Sequence, residues 1–171
     1  VLYRGYANKV NATASGFPNT ILTGEGVSLT RSGDFHIATP TGTGRTAFLT
    51  VSGKSSSGRT VALKRVQYRV LTLPNPTMYW GGAKDGERAS KRELHIFAKY
   101  GNDIPLLADF KVLSWELSVQ GAARSVKGTG NNISAAKALL NAAPSGKTVT
   151  YVIWVLDPAG VRRKITAVFT I

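Results

Sequence analysis

The sequence predicts a mainly β chain of two consecutive β-sandwich-like (Ig-like) domains, the second with one short helix. Three observations lead there. Most segments alternate apolar and polar residues with a period of two, as half-buried strands do. Eighteen glycines and seven prolines in 171 residues break the chain often into tight turns. Leu73-Pro74-Asn75-Pro76 cannot lie in a central strand, since proline has no N–H to donate. This interruption divides the chain into 1–72 and 73–171, each within reach of an independent β-domain. A 43% hydrophobic content supports a packed core and argues against disorder.

The elements follow in order. Val27 and Leu29 alternate, Arg31-Ser32-Gly33 turns the chain, and Phe35 and Ile37 resume the pattern as a hairpin partner. Ala47, Leu49 and Val51 form the next face, and Ser52–Gly58 reads as an exposed hairpin loop. Val61 and Leu63 share one parity, whereas Val66, Tyr68 and Val70 share the other. A strand that changes face needs an extra residue, which predicts a bulge near Lys64-Arg65. Beyond the prolines, Leu94, Ile96 and Ala98 alternate, as do Leu113, Trp115, Leu117 and Val119. Gly121–Asn131 reads as a mobile connection. Residues 132–143 form the one convincing helix: Asn132 or Ser134 can cap it, Ile133, Ala136, Leu139 and Leu140 share a face, and Pro144 with Gly146 ends it. Val149–Leu156 is apolar on both faces, like a strand buried on both sides. Asp157-Pro158-Ala159-Gly160 makes a turn, and Ile165, Ala167, Phe169 and Ile171 line one face of the returning strand in a C-terminal hairpin.

Charge is the strongest compositional feature: 22 Lys+Arg against 9 Asp+Glu give a net +13. The first 72 residues hold 9 basic and 2 acidic side chains and the remainder 13 and 7, so no single tail carries the excess. Nucleic acid, an anionic membrane or an acidic protein would feel such a field, and so would water alone. No apolar run reaches the roughly 18–20 residues that span a bilayer. Beginning at Val1, without an initiator methionine, the chain reads as a processed product or an excised piece of a larger protein.

The chemical inventory is thin. Cysteine is absent, which excludes disulfides and thiolate chemistry. His36 and His95 lie in different halves without a ligand-spaced partner. The carboxylates are scattered, and Asp85 and Glu87 read as solvated charge on a Gly/Lys/Arg-rich loop. Thr41-Gly42-Thr43-Gly44-Arg45 lacks the Gly-Lys-Ser/Thr ending of a phosphate loop and precedes a strand, so it reads as a turn. No catalytic residue, cofactor site or metal site is assigned. The candidates for partner binding are Tyr79 and Trp80, two aromatics beside Gly81-Gly82, and the basic triplet Arg162, Arg163 and Lys164. The reading set against this, and the preferred one, is that Tyr79 and Trp80 close the apolar end of the second domain. No recognition helix or RNP-like run accompanies the positive charge, so nucleic acid is not an expected partner.

Several landmarks resemble, in order, the C-terminal periplasmic region of the GldM/PorM family of Bacteroidetes gliding motility and type IX secretion. Leu2-Tyr3-Arg4-Gly5-Tyr6-Ala7-Asn8-Lys9-Val10 is similar to that family's Tyr-x-Gly-Tyr-x-Asn opening of its third periplasmic domain. Tyr68-Arg69-Val70 and Leu73-Pro74-Asn75-Pro76 resemble its Phe-Arg-Val…Pro-x-Pro transition into the last domain. The helix at 132–143, Gly146 and the turn closing on Gly160 resemble its ending, except that Asp157-Pro158-Ala159-Gly160 stands where the family usually has Gly-Pro-Asp-Gly. The resemblance implies a non-catalytic, homodimeric periplasmic module at the far end of a motor protein. It also implies an inner-membrane anchor in a preceding part and contacts with an outer-membrane-side ring. The alternative is an extracellular carbohydrate- or polymer-binding β-sandwich, with Tyr79 and Trp80 as its platform.

Overall fold

Period-two alternation becomes two-layered β structure in the computed structural model, which describes residues 1–171. The chain forms two units, Val1–Leu73 and Pro74–Ile171, and is mainly β in both. The first contains β1 (Leu2–Tyr3), β2 (Asn8–Val10), β3 (Asn19–Glu25), β4 (Val27–Ser32), β5 (Phe35–Pro40), β6 (Thr46–Lys54) and β7 (Thr60–Leu71). One sheet runs β1-β7-β6-β3 and the other β2-β5-β4. Leu2, Val27, Ala38, Ala47, Leu49 and Val70 from both sheets form a shared core, the defining feature of a sandwich. Gly26, at φ +70°, lets the chain leave β3 and enter β4 in the other sheet; a Cβ there would sit 3.2 Å from the Thr46 carbonyl oxygen.

The opening motif has a physical basis in this unit. Asn8 is buried, and its Nδ2 donates to the carbonyls of Tyr3 (2.8 Å), Tyr6 (3.0 Å) and Ala38 (2.9 Å). Its Oδ1 accepts from the Tyr3 N–H at 2.7 Å, so one amide ties β1 and the following turn to β5. Gly5 supplies the positive φ (+66°) of that turn, and the Tyr3 and Tyr6 rings meet edge to face. Arg4 donates to the carbonyls of Gly42 and Gly44. The glycine-rich turn therefore offers acceptors to a guanidinium, the opposite of a phosphate cradle.

Two expectations shift here, and one strand is new. The bulge falls at Leu63, since Lys64 pairs with Val51 and Ala62 with Ser52. Ser52–Lys54 belong to β6, because their backbone pairs with Thr60–Ala62, and only the residues between Lys54 and Thr60 turn. The strand β3 was not evident in the sequence: its burial pattern is mostly exposed and gives little apolar alternation.

The second unit contains β8 (Thr77–Trp80), β9 (Ala83–Lys84), β10 (Ile96–Lys99), β11 (Lys111–Val119), β12 (Val126–Thr129), a 3₁₀ turn (Ser134–Ala136), α1 (Lys137–Ala142), β13 (Thr148–Leu156) and β14 (Arg162–Thr170). Its sheets run β10-β8-β9 and β12-β11-β13-β14. Trp80, Tyr151 and Phe169 meet edge to face between them, with ring centroids 5.3–5.7 Å apart. The helical segment is shorter than expected and begins as a 3₁₀ turn. Ile133, Ala136 and Leu140 are fully buried, while Leu139 is only partly so. Asn132 Oδ1 accepts the Ser134 N–H at 2.8 Å, and Lys91 Nζ donates to the Ala143 carbonyl at the far end.

Two more expectations change in this unit. A register shift between Val112 and Ser114 turns Val112 inward and takes Leu113 out of the expected face. Val126–Thr129, within the expected mobile connection, pairs with Ser114–Leu117 as an edge strand. Gly128 makes that possible: a Cβ there would lie 2.3 Å from the Trp115 ring.

Candidate partner-binding face

The terminal hairpin separates the basic triplet by strand parity. Ile153 pairs with Ile165 and Val155 with Arg163, and these side chains point inward; Trp154 pairs with Lys164 and Leu156 with Arg162, and these point outward. Arg162, Arg163 and Lys164 therefore do not form one basic patch.

Arg163 serves the structure. Its Nε donates to Asp157 Oδ2 at 2.9 Å, and Nη2 lies 2.7 Å from the same oxygen. Its Nη1 donates to the Pro74 carbonyl and to Asn75 Oδ1, both at 3.2 Å. The Asp157 side chain is 1% exposed, and its Oδ1 accepts the N–H groups of Ala159 (2.9 Å) and Val161 (2.8 Å). This is an Asx turn whose carboxylate is neutralised by Arg163. Gly160, at φ +78°, completes the reversal.

Arg162 and Lys164 instead flank Trp154. The Arg162 guanidinium carbon is 4.4 Å from the Trp154 ring centroid and Lys164 Nζ is 5.9 Å away. Lys111 pairs with Leu156 on the opposite side, so cations stand on both neighbours of β13. Between them Val152, Trp154 and Leu156 form an apolar row. Sequence reasoning placed this strand inside a layer covered on both sides. The inward row Val149, Tyr151, Ile153 and Val155 is fully buried, but the outward row remains partly exposed. Glu116, the acidic member of this face, is engaged by Ser125 Oγ at 2.7 Å and Lys127 Nζ at 3.8 Å. An apolar centre with Trp and Arg and a cationic surround is suited to gripping an anionic partner.

The other sequence candidates part company. Trp80 is 1% exposed and donates from Nε1 to the Glu93 carbonyl at 2.8 Å, so it cannot act as a surface anchor or glycan platform. Its place in the aromatic core explains the correction. Tyr79 points to the opposite face of β8, half-buried beside Phe97, with Lys99 Nζ 4.6 Å from its ring centroid. Asp85 is not merely solvated charge: its Oδ1 accepts the Val168 N–H at 2.8 Å, and the segment Gly86–Ala89 pairs along the edge of β14. Trp154 was missed because the apolar run around it resembled core. The signal available was its outward parity with Arg162 and Lys164.

His36 lies on β5 and His95 beside Glu93, with Nδ1 3.5 Å from Oε1. No group of three or more His, Asp or Glu side chains is arranged to hold a metal ion. No helix is long and apolar enough to cross a membrane.

The solved fibronectin(III)-like modules of Clostridium thermocellum CbhA align with 99% of this chain and 87% of their own, at 12% identity and a TM-score of 0.30. Comparison with curated proteins gives no match. The family model described as the GldM third domain matches residues 1–71, the stretch that contains the Asn8 clamp. That domain is a structural module and not a known enzyme family. Over residues 1–71 the chain is therefore similar to the third domain of GldM, whose family is one of gliding-motility and type IX secretion components.

Proposed function

We propose that this chain is a non-catalytic structural and interaction module, the distal periplasmic part of a gliding-motility and type IX secretion motor protein. It links the inner-membrane motor to components on the outer-membrane side and pairs with a second copy of itself. The anchor belongs to a preceding part of the protein. The domain boundary at Leu73-Pro74 separates two β-modules of this segment, and the outward faces of Tyr79, Arg162 and Lys164 are contact candidates.

The observation that carries this reading is the match of residues 1–71 to the GldM third domain. The two-sheet units support it, since each is built around its own apolar core. Deleting these 171 residues from the membrane-anchored protein tests it. Secretion and gliding should stop while the truncated protein stays in the membrane at normal abundance. Normal secretion and gliding in that strain would refute the proposal.

A further inference from the structure

We infer that the outward face of β13 and β14, centred on Trp154 between Arg162 and Lys164, is the docking site for an acidic surface of another protein. The inference rests on the interaction-module reading and specifies where, and with what chemistry, contact is made.

The row Val152, Trp154 and Leu156 is as apolar as a covered strand, yet it remains partly exposed. An apolar centre that the chain itself leaves open is a surface shaped for a partner. The charges decide its kind. Lys111, Lys127, Arg162 and Lys164 point from this face, whereas Glu116 is its acidic side chain and already has Ser125 and Lys127 as partners. A carboxylate approaching Trp154 can take Arg162 in a forked pair and leave the indole to apolar contacts at its side. A second copy of this face would bring like charges together and is excluded as the occupant. Nucleic acid would feel the cations, but most of the other outward residues on these strands are Thr, Val and Leu, which offer bases no row of aromatic platforms. The edge of β14 beside Val168–Thr170 is already paired with Gly86–Ala89, so the partner meets the face of the sheet.

The test places photo-reactive p-benzoylphenylalanine at Thr166, next to this row, in the full membrane-anchored protein within its own cells. Irradiation should join Thr166 to another protein through a segment rich in Asp and Glu. The yield should fall about tenfold or more when R162E and K164E are added, as loss of central contacts does. Changing acidic residues of the joined segment to lysine should restore it. Three results overturn the inference: adducts only with nucleic acid, polysaccharide or another copy of this protein; a yield unaffected by charge reversal; or no adduct in cells that secrete normally. If the strain lacking all 171 residues behaves normally, the interaction-module reading itself fails. If that strain is defective and the Thr166 result is negative, only this docking site fails.

Discussion

Replacing Arg163 by alanine should destabilise the second unit far more than replacing either of its basic neighbours. The guanidinium reaches four acceptor contacts: two to Asp157 Oδ2 at 2.9 and 2.7 Å, and one each to the Pro74 carbonyl and Asn75 Oδ1 at 3.2 Å. Its side chain is 15% exposed and that of Asp157 is 1% exposed, so water cannot replace the lost charge at the carboxylate. Breaking such a buried pair costs about 3–5 kcal/mol. For a domain of roughly 100 residues, each kcal/mol lowers Tm by about 4–8 °C, so unfolding should move down by at least ~12 °C. Asp157→Ala should cost a similar amount, because it also strands the N–H groups of Ala159 and Val161. The double variant should cost less than the sum by about 2 kcal/mol or more, since neither partner then leaves an unpaired charge. Arg162→Ala, which touches only the exposed side of Trp154, should cost about 0.5–1 kcal/mol. Urea unfolding, followed by near-ultraviolet circular dichroism of the aromatic core, measures all four. A cost below 1 kcal/mol for Arg163→Ala, or strictly additive costs, would refute the reasoning.

The Tyr151 hydroxyl is buried without a hydrogen-bond partner, and burial pushes its pKa far above the ordinary phenol value. Below about pH 10 both states keep this proton and the group leaves stability flat. Above it the unfolded chain loses the proton and the folded chain does not, so stability should fall by ~1.4 kcal/mol per pH unit. Tyr151→Phe should abolish that slope and leave stability at pH 7 unchanged or raised by about 1 kcal/mol, as urea titrations at several pH values would show. Asn8→Ala should destabilise the first unit by about 2–3 kcal/mol by stranding the backbone groups its amide satisfies, seen in thermal unfolding of the 171-residue chain. Iodide should quench Trp154 alone, since Trp80 and Trp115 are 1% and 2% exposed. In Trp154→Phe the accessible fluorescence should vanish; substantial quenching that persists would contradict the burial of the other two.

Period-two alternation made the strands at Val27–Ile37, Ala47–Val51, Trp115–Val119 and the final hairpin legible, because one face of each meets a core. Asn19–Glu25 escaped because its ladder to β6 is held by backbone bonds that no side-chain pattern reports. The edge strand at Val126–Thr129 escaped for the opposite reason. A glycine, ordinarily a sign of a loop, is needed there to pass over Trp115. At the candidate face Arg162 and Lys164 could be named from sequence, but Arg163 could not be told from them. Its inward turn depends on Asp157, six residues earlier and across the hairpin. Trp154 was hidden because apolar residues on both parities signal burial, whereas a strand that awaits a partner carries the same pattern.

Secretion and gliding of cells whose full-length protein carries R162E and K164E test the central claim most directly, namely that this module works through the outward face of β13 and β14. Both side chains point outward and neither enters the core, so the variant should fold and reach normal abundance. We expect secretion and gliding to fail in those cells while K164R, which keeps the charge beside an unchanged Arg162, preserves them. Wild-type secretion and gliding in the charge-reversed cells would contradict the account.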